Sequence, residues 1–108
     1  MKLPKFVTIG HFKVELIPIS HDISYEVCEM QGCFISKPPY KIYLDKDIIS
    51  LNNKDSKNLL IHELCHVIYY IYHLKDKDEE SVVNGMSNGI TELLYKSELK
   101  DWFKKIDN

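Results

Sequence analysis

Leu59-Leu60-Ile61-His62-Glu63-Leu64-Cys65-His66-Val67-Ile68-Tyr69-Tyr70-Ile71-Tyr72-His73-Leu74 is the stretch whose reading decides the fold. Apart from His62, Glu63, His66 and His73, nearly every position in it is apolar. A helix with apolar residues all round is expected at the centre of a domain, covered by its neighbours. The chain before it, from Asp47 to Lys57, is polar and turn-rich, and Asp55 or Ser56 after Asn52-Asn53 offers an N-cap. Past Leu74, Lys75-Asp76-Lys77-Asp78 reads as a short solvated connection. Asp76 or Asp78 can cap a second helix, with Glu79 and Glu80 in a first turn where the helix dipole favours carboxylates. That helix runs through Val82, Val83, Met86, Ile90, Leu93 and Leu94. Leu99, Trp102, Phe103 and Ile106 keep helical spacing, as a third helix or a continuation of the second.

Upstream the hydrophobic period is close to two. Val7 and Ile9 are apolar in one register and Phe12, Val14 and Leu16 in the other, with the flip at Gly10. Two strands joined by a tight turn, or one strand bent at a glycine bulge, both give that flip. Pro18 closes the run, because proline fits only a strand edge or end. Ser20 to Pro39 carries weaker signals, with a short strand expected near Gly32 to Ser36 before the Pro38-Pro39 pair. Tyr40-Lys41-Ile42-Tyr43-Leu44 alternates again and is expected as a strand exposed on one face, at a sheet edge. The expectation is an α+β fold: an N-terminal sheet of three to four strands, a buried helix, and a C-terminal helix bracing it. Without a repeat or a Pro/Gly/Ser-rich linker, residues 1–108 read as one domain.

Composition narrows the functional classes. The chain has 108 residues, 44% hydrophobic and 28% charged, which supports a packed core and excludes a disordered or low-complexity chain. All 14 basic residues are lysines and the net charge is −2, so there is no guanidinium for bidentate contacts to phosphate or guanine, and nucleic acid is not the expected partner. The N-terminus is too broken by Thr8, Gly10, His11, Lys13 and Glu15 for a signal-peptide core, and no run approaches a membrane span. Three cysteines, Cys28, Cys33 and Cys65, are an odd number that does not read as a disulfide framework. A cytoplasmic protein is expected.

Within the central helix, His62-Glu63-Leu64-Cys65-His66 is an H-E-x-x-H. Four residues make about one helical turn, so the two imidazoles lie about 6 Å apart on one face, suited to sharing one zinc ion. Glu63 beside them can serve as general base toward a zinc-activated water attacking a carbonyl. Three ionisable groups in a buried helix need partners, and a metal supplies them. A catalytic zinc usually has three protein ligands. His73 lies two turns past His66, about 10 Å along the axis, and is out of reach. Glu80 and Glu79 are the candidates, Glu80 favoured because Asn84 follows it one turn later as a supporting partner. Cys65 points away from the metal face and reads as a buried, inert thiol. Cys28 and Cys33 give only a weak metal-clip signal, and Tyr69, Tyr70 and Tyr72 read as packing residues.

With the β-rich first half, the H-E-x-x-H helix and the Glu79-to-Ile90 run beginning Glu-Glu, the chain resembles small H-E-x-x-H metallopeptidase-like proteins of phages and mobile elements. These are related to the ImmA/IrrE-type peptidases of the gluzincin-like group. The resemblance spans Lys5 to about Tyr95, and its sharp part is His62 to His66 with Glu79 to Ile90. It implies a minimal zincin-like domain, Zn2+ held by His62, His66 and Glu80 with Glu79 able to take the third place, Glu63 as base, and hydrolysis of a peptide or protein substrate. In such folds the substrate adds to the edge strand above the metal, and Tyr40 to Leu44 is the expected strand. The competing expectation is a zinc-binding structural or interaction module without turnover, whose site would be closed by a further donor such as His11, His21, Cys28 or Cys33.

Overall fold

A computed structural model describes residues 3–28 and 32–104, with the side chains of 25–28 excepted. The chain begins with strands β1 (Phe6–Ile9) and β2 (Phe12–Ile19), then helix α1 (His21–Cys28). Strands β3 (Gly32–Ile35) and β4 (Tyr40–Asp45) follow, then helices α2 (Lys46–Ser50), α3 (Lys54–Ile71), α4 (Glu79–Tyr95) and α5 (Lys100–Lys104). Four strands form one mixed sheet in the order β1-β2-β4-β3, so the fold is α+β, as the change of period implied.

Of the two readings left open at Gly10, the hairpin is the one formed. β1 and β2 are antiparallel with Ile9 opposite Phe12, and Gly10 takes φ +60° in the turn, a conformation glycine adopts without steric cost. Pro18 lies within β2, opposite Leu44 of β4 and beyond the last residue paired with β1, so its missing N–H costs no ladder bond on the β1 side.

The edge assignment of Tyr40 to Leu44 is overturned. β4 is an inner strand, parallel to β2 on one side and antiparallel to β3 on the other. Alternation reports which face of a strand is covered and carries no information about which strands flank it. The edge beside β4 is β3, found where a short strand was expected.

On the inner face of the sheet, Val7, Ile9, Val14, Leu16, Ile42 and Leu44 pack with Leu60, Leu64, Val67 and Ile68 of α3, all buried. Helix α3 starts earlier than its apolar run. Asn53, not Asp55 or Ser56, is the N-cap: its side chain accepts from the N–H groups of Asp55 and Ser56, while Ser56 Oγ accepts from Asn53 N–H. Asp78 caps α4, accepting from Ser81 N–H at 2.9 Å. Two glycines let α4 lie close against the chain before it, for a Cβ on Gly89 would stand 2.7 Å from the Ile68 side chain and one on Gly85 2.7 Å from Leu74. Below α3, buried Lys57 donates to Asn52 Oδ1 at 2.5 Å and to the Trp102 carbonyl at 2.6 Å, with its ammonium over the indole, joining the start of α3 to α5.

The two edges of the sheet differ. Along β1, the N–H of Thr8 donates to Glu98 Oε1 at 3.0 Å and that of Gly10 to Glu92 Oε1 at 3.1 Å, so carboxylates from the helical half occupy that edge. Among the described residues, β3 pairs on one side only. Among the described residues, no helix is long and apolar enough to cross a membrane.

Candidate functional site

Along α3, Glu63, His66 and Tyr70 fall on one stripe at spacings of three and four residues, and that stripe lines a hollow whose other wall is β3. His62, Cys65, His66 and Tyr69 line a second hollow, closed on its far side by Val82 and Met86 of α4. His66 belongs to both. The imidazoles of His62 and His66 have ring centroids 5.0 Å apart at an interplanar angle of 79°, as the one-turn spacing requires.

Burial separates the three residues more sharply than the apolar run suggests. Glu63 is 2% exposed, whereas His62 and His66 are both exposed. The helix is therefore not covered on all sides, since Ile61, Tyr69 and Tyr70 are exposed with the histidines. An exposed aliphatic or tyrosine ring is ordinary on a protein surface, so an all-round apolar run overstates burial. Glu63 alone meets the condition of a buried ionisable group, and its burial pushes the carboxyl above the usual range against the pull of His62 and His66.

Glu63 lies against Gly32, at the start of β3. A Cβ there would stand 3.4 Å from Glu63 Cγ and Oε2, and 3.0 Å from the carbonyl oxygen of Tyr43. Sequence reading did not single out Gly32, whose only signal was its position at the head of a short strand.

Glu79 and Glu80 lie in the first turn of α4, both exposed. Among the described residues no three His, Cys, Asp or Glu side chains come together as a metal-holding group, so the two histidines are assembled and a third donor is not. Cys65 does not turn away from the histidines. It is a free, half-buried thiol on the wall shared with them, its pKa raised by burial. Of the further donors considered, His21 Nδ1 is 2.7 Å from Asp45 Oδ2, and Cys33 is disulfide-bonded, contrary to the expectation of unpaired cysteines. His11 sits exposed in the β1–β2 turn, and the Cys28 side chain lies outside the described residues. Tyr70, read as packing, lines the hollow beside Glu63 and His66.

Comparison of the chain with protein-family models, curated proteins and solved structures finds no match.

Proposed function

We propose that this chain is a zinc-dependent metallopeptidase domain of minimal zincin type, hydrolysing peptide bonds. The observation that carries the reading is the exposed His62–His66 pair, ring centroids 5.0 Å apart, with His66 sharing the wall of an open cleft with the buried Glu63 carboxyl. Two imidazoles one turn apart suit Zn2+, which when bound supplies a Lewis acid and an acidified water. His62 and His66 would hold it through ring nitrogens. Glu63 is placed to accept a proton from an attacking water at a carboxylate oxygen and to return it to the leaving amine nitrogen. The third ligand is drawn from the first turn of α4. Helical phase supports Glu79 over Glu80, because Glu79 shares the face of Val82 and Met86, the two α4 residues that line the hollow with the histidines. The peptide lies along β3, the edge strand at the cleft, gaining main-chain hydrogen bonds there.

A zinc site without turnover would be closed by a fourth donor. The bonded states of His21 and Cys33 count against that alternative.

The purified chain is expected to carry about one zinc ion, with His62→Ala losing it. An unchanged zinc content in that variant overturns the assignment. Glu63→Gln is expected to keep the metal and lose hydrolysis of unfolded protein substrates, and a variant that still cleaves removes Glu63 as base. Zinc titration of Glu79→Ala and Glu80→Ala separately identifies the third ligand as the one whose loss weakens binding.

A further inference from the structure

We infer that the hollow between β3 and α3 is a side-chain subsite, and that it takes a bulky apolar side chain, aromatic above all, of a peptide laid along β3. The occupant's being a substrate rests on the peptidase reading; the subsite itself rests on the walls of the hollow.

The hollow measures about 360 Å³, within the range of roughly 300 to 1,000 Å³ common for ligand sites, and is lined by Cys33, Phe34, Ser36, Glu63, His66 and Tyr70. Glu63 and His66 form one end and the rings of Phe34 and Tyr70 the other. Those two rings meet edge to face with centroids 5.9 Å apart, and behind them Tyr40 lies 5.8 Å from Tyr70 and Phe12 5.3 Å from Tyr40. The wall is therefore a cluster of four rings from β2, β3, β4 and α3, against which a further ring can pack edge to face or offset. Tyr70 remains 39% exposed, so its ring is available to a ligand.

Among the described residues no lysine lines the hollow to balance an acidic side chain, and the hollow's carboxyl is already beside the two histidines. Position selects the occupant. At the opposite edge of the sheet Glu98 and Glu92 already take the N–H groups of Thr8 and Gly10, so an added strand finds its place at β3. From Glu63 to Tyr70 the helix rises about 10 Å, and same-face side chains of an extended peptide repeat about every 6.6–7 Å. A peptide with its reacting carbonyl over Glu63 and His66 thus lowers a neighbouring side chain between His66 and Tyr70.

The test titrates the purified chain, zinc-free and zinc-loaded, with acetyl-Gly-X-Gly-amide where X is Phe, Leu, Ala or Asp, read by backbone amide shifts of residues 32–36 and ring carbons of Tyr70. The Phe peptide is expected to bind about tenfold tighter than the Ala peptide, with Leu between and Asp weakest. Tyr70→Ala and Phe34→Ala should each abolish the preference, and Tyr70→Phe, which keeps the ring, should retain it. Equal affinities for Phe and Ala, shifts confined to other parts of the chain, or a preference surviving Tyr70→Ala overturn the subsite. Zinc retained without a Phe preference sinks the subsite and leaves the metal reading standing. A Phe preference in a chain that holds no zinc does the reverse.

Discussion

Gly32 is a residue whose importance lies in an absent methyl group. A Cβ there would stand 3.0 Å from the Tyr43 carbonyl oxygen, closer than ordinary contact, so a side chain requires the paired strands β3 and β4 to give by a few tenths of an ångström. Gly32→Ala is expected to cost about 1–3 kcal/mol of stability, as overpacking does, measured by urea unfolding. Lys57 shows the opposite logic, a charge kept inside by what surrounds it. Its ammonium holds Asn52 and the Trp102 carbonyl and stacks 3.4 Å from the indole centroid, so Lys57→Ala leaves two buried acceptors without their donor. The expected loss is about 2–4 kcal/mol, visible as a lower urea midpoint with zinc content unchanged once refolded.

At the scale of elements, what could be read from sequence was what periodicity and caps report. The α3 helix follows from spacing, while spacing narrowed the α4 cap to Asp76 or Asp78 and the flip at Gly10 to a hairpin or a bulge, and the structure forms the Asp78 cap and the hairpin. Three features did not follow from spacing. Helix α1 hides in His21 to Cys28 because the segment is only eight residues long, too short for a clear helical period; its local signs were Asp22 in the first turn and Ser20, whose Oγ accepts from Ile23 N–H. The position of β4 within the sheet depends on long-range pairing that alternation does not encode. The exposure of His62 and His66 depends on where α4 lies, and that is set by Gly85 and Gly89. Gly89→Ala would drive a methyl into Ile68 at 2.7 Å and is expected to destabilise by about 1–3 kcal/mol. Ile68→Val should offset part of that cost, giving a coupling above about 0.5 kcal/mol in a double-mutant cycle by chemical unfolding. Additive losses would mean that the two helices are not held by this contact. Which carboxylate of Glu79 and Glu80 would complete the proposed zinc site was not legible, because a carboxylate in a first helical turn is favoured by the dipole whether or not a metal is near.

For the whole molecule, pH acts through the joint between α1 and the end of β4. Burial would raise Asp45, which is fully buried, but the bonds from His21 and from the N–H groups of Asp47 and Ile48 outweigh it and hold the carboxyl below its ordinary value. His21 is raised in turn, chiefly by its bond to Asp45. A lowered carboxylate contributes stability above its unfolded pKa of about 3.9 and loses it as pH falls through the folded value. A raised imidazole contributes below about 6.5 and loses it as pH rises through its folded value. The pair therefore stabilises most between those limits. The urea midpoint of the wild type is expected to exceed that of His21→Ala at pH 5.5, with the gap narrowing at pH 8.5 and again near pH 3; a gap independent of pH would exclude this account.

The unequal edges of the sheet also govern how the chain can meet copies of itself. Exposed strand edges are where proteins polymerise, and a sheet open on both sides can recruit neighbours without limit. Here carboxylates from α4 and from the segment before α5 sit on β1, leaving β3 as the side at which pairing can begin. Two copies joined β3 to β3 about a twofold axis would present only β1 edges outward, so growth halts at the pair. Removing the guard, in Glu92→Ala/Glu98→Ala, is expected to turn a self-limiting association into an open-ended one, seen as rising light scattering in the variant and a plateau in the wild type. A fibre-forming tendency that many small sheets must avoid is reduced here to a question of which two carboxylates stay in place.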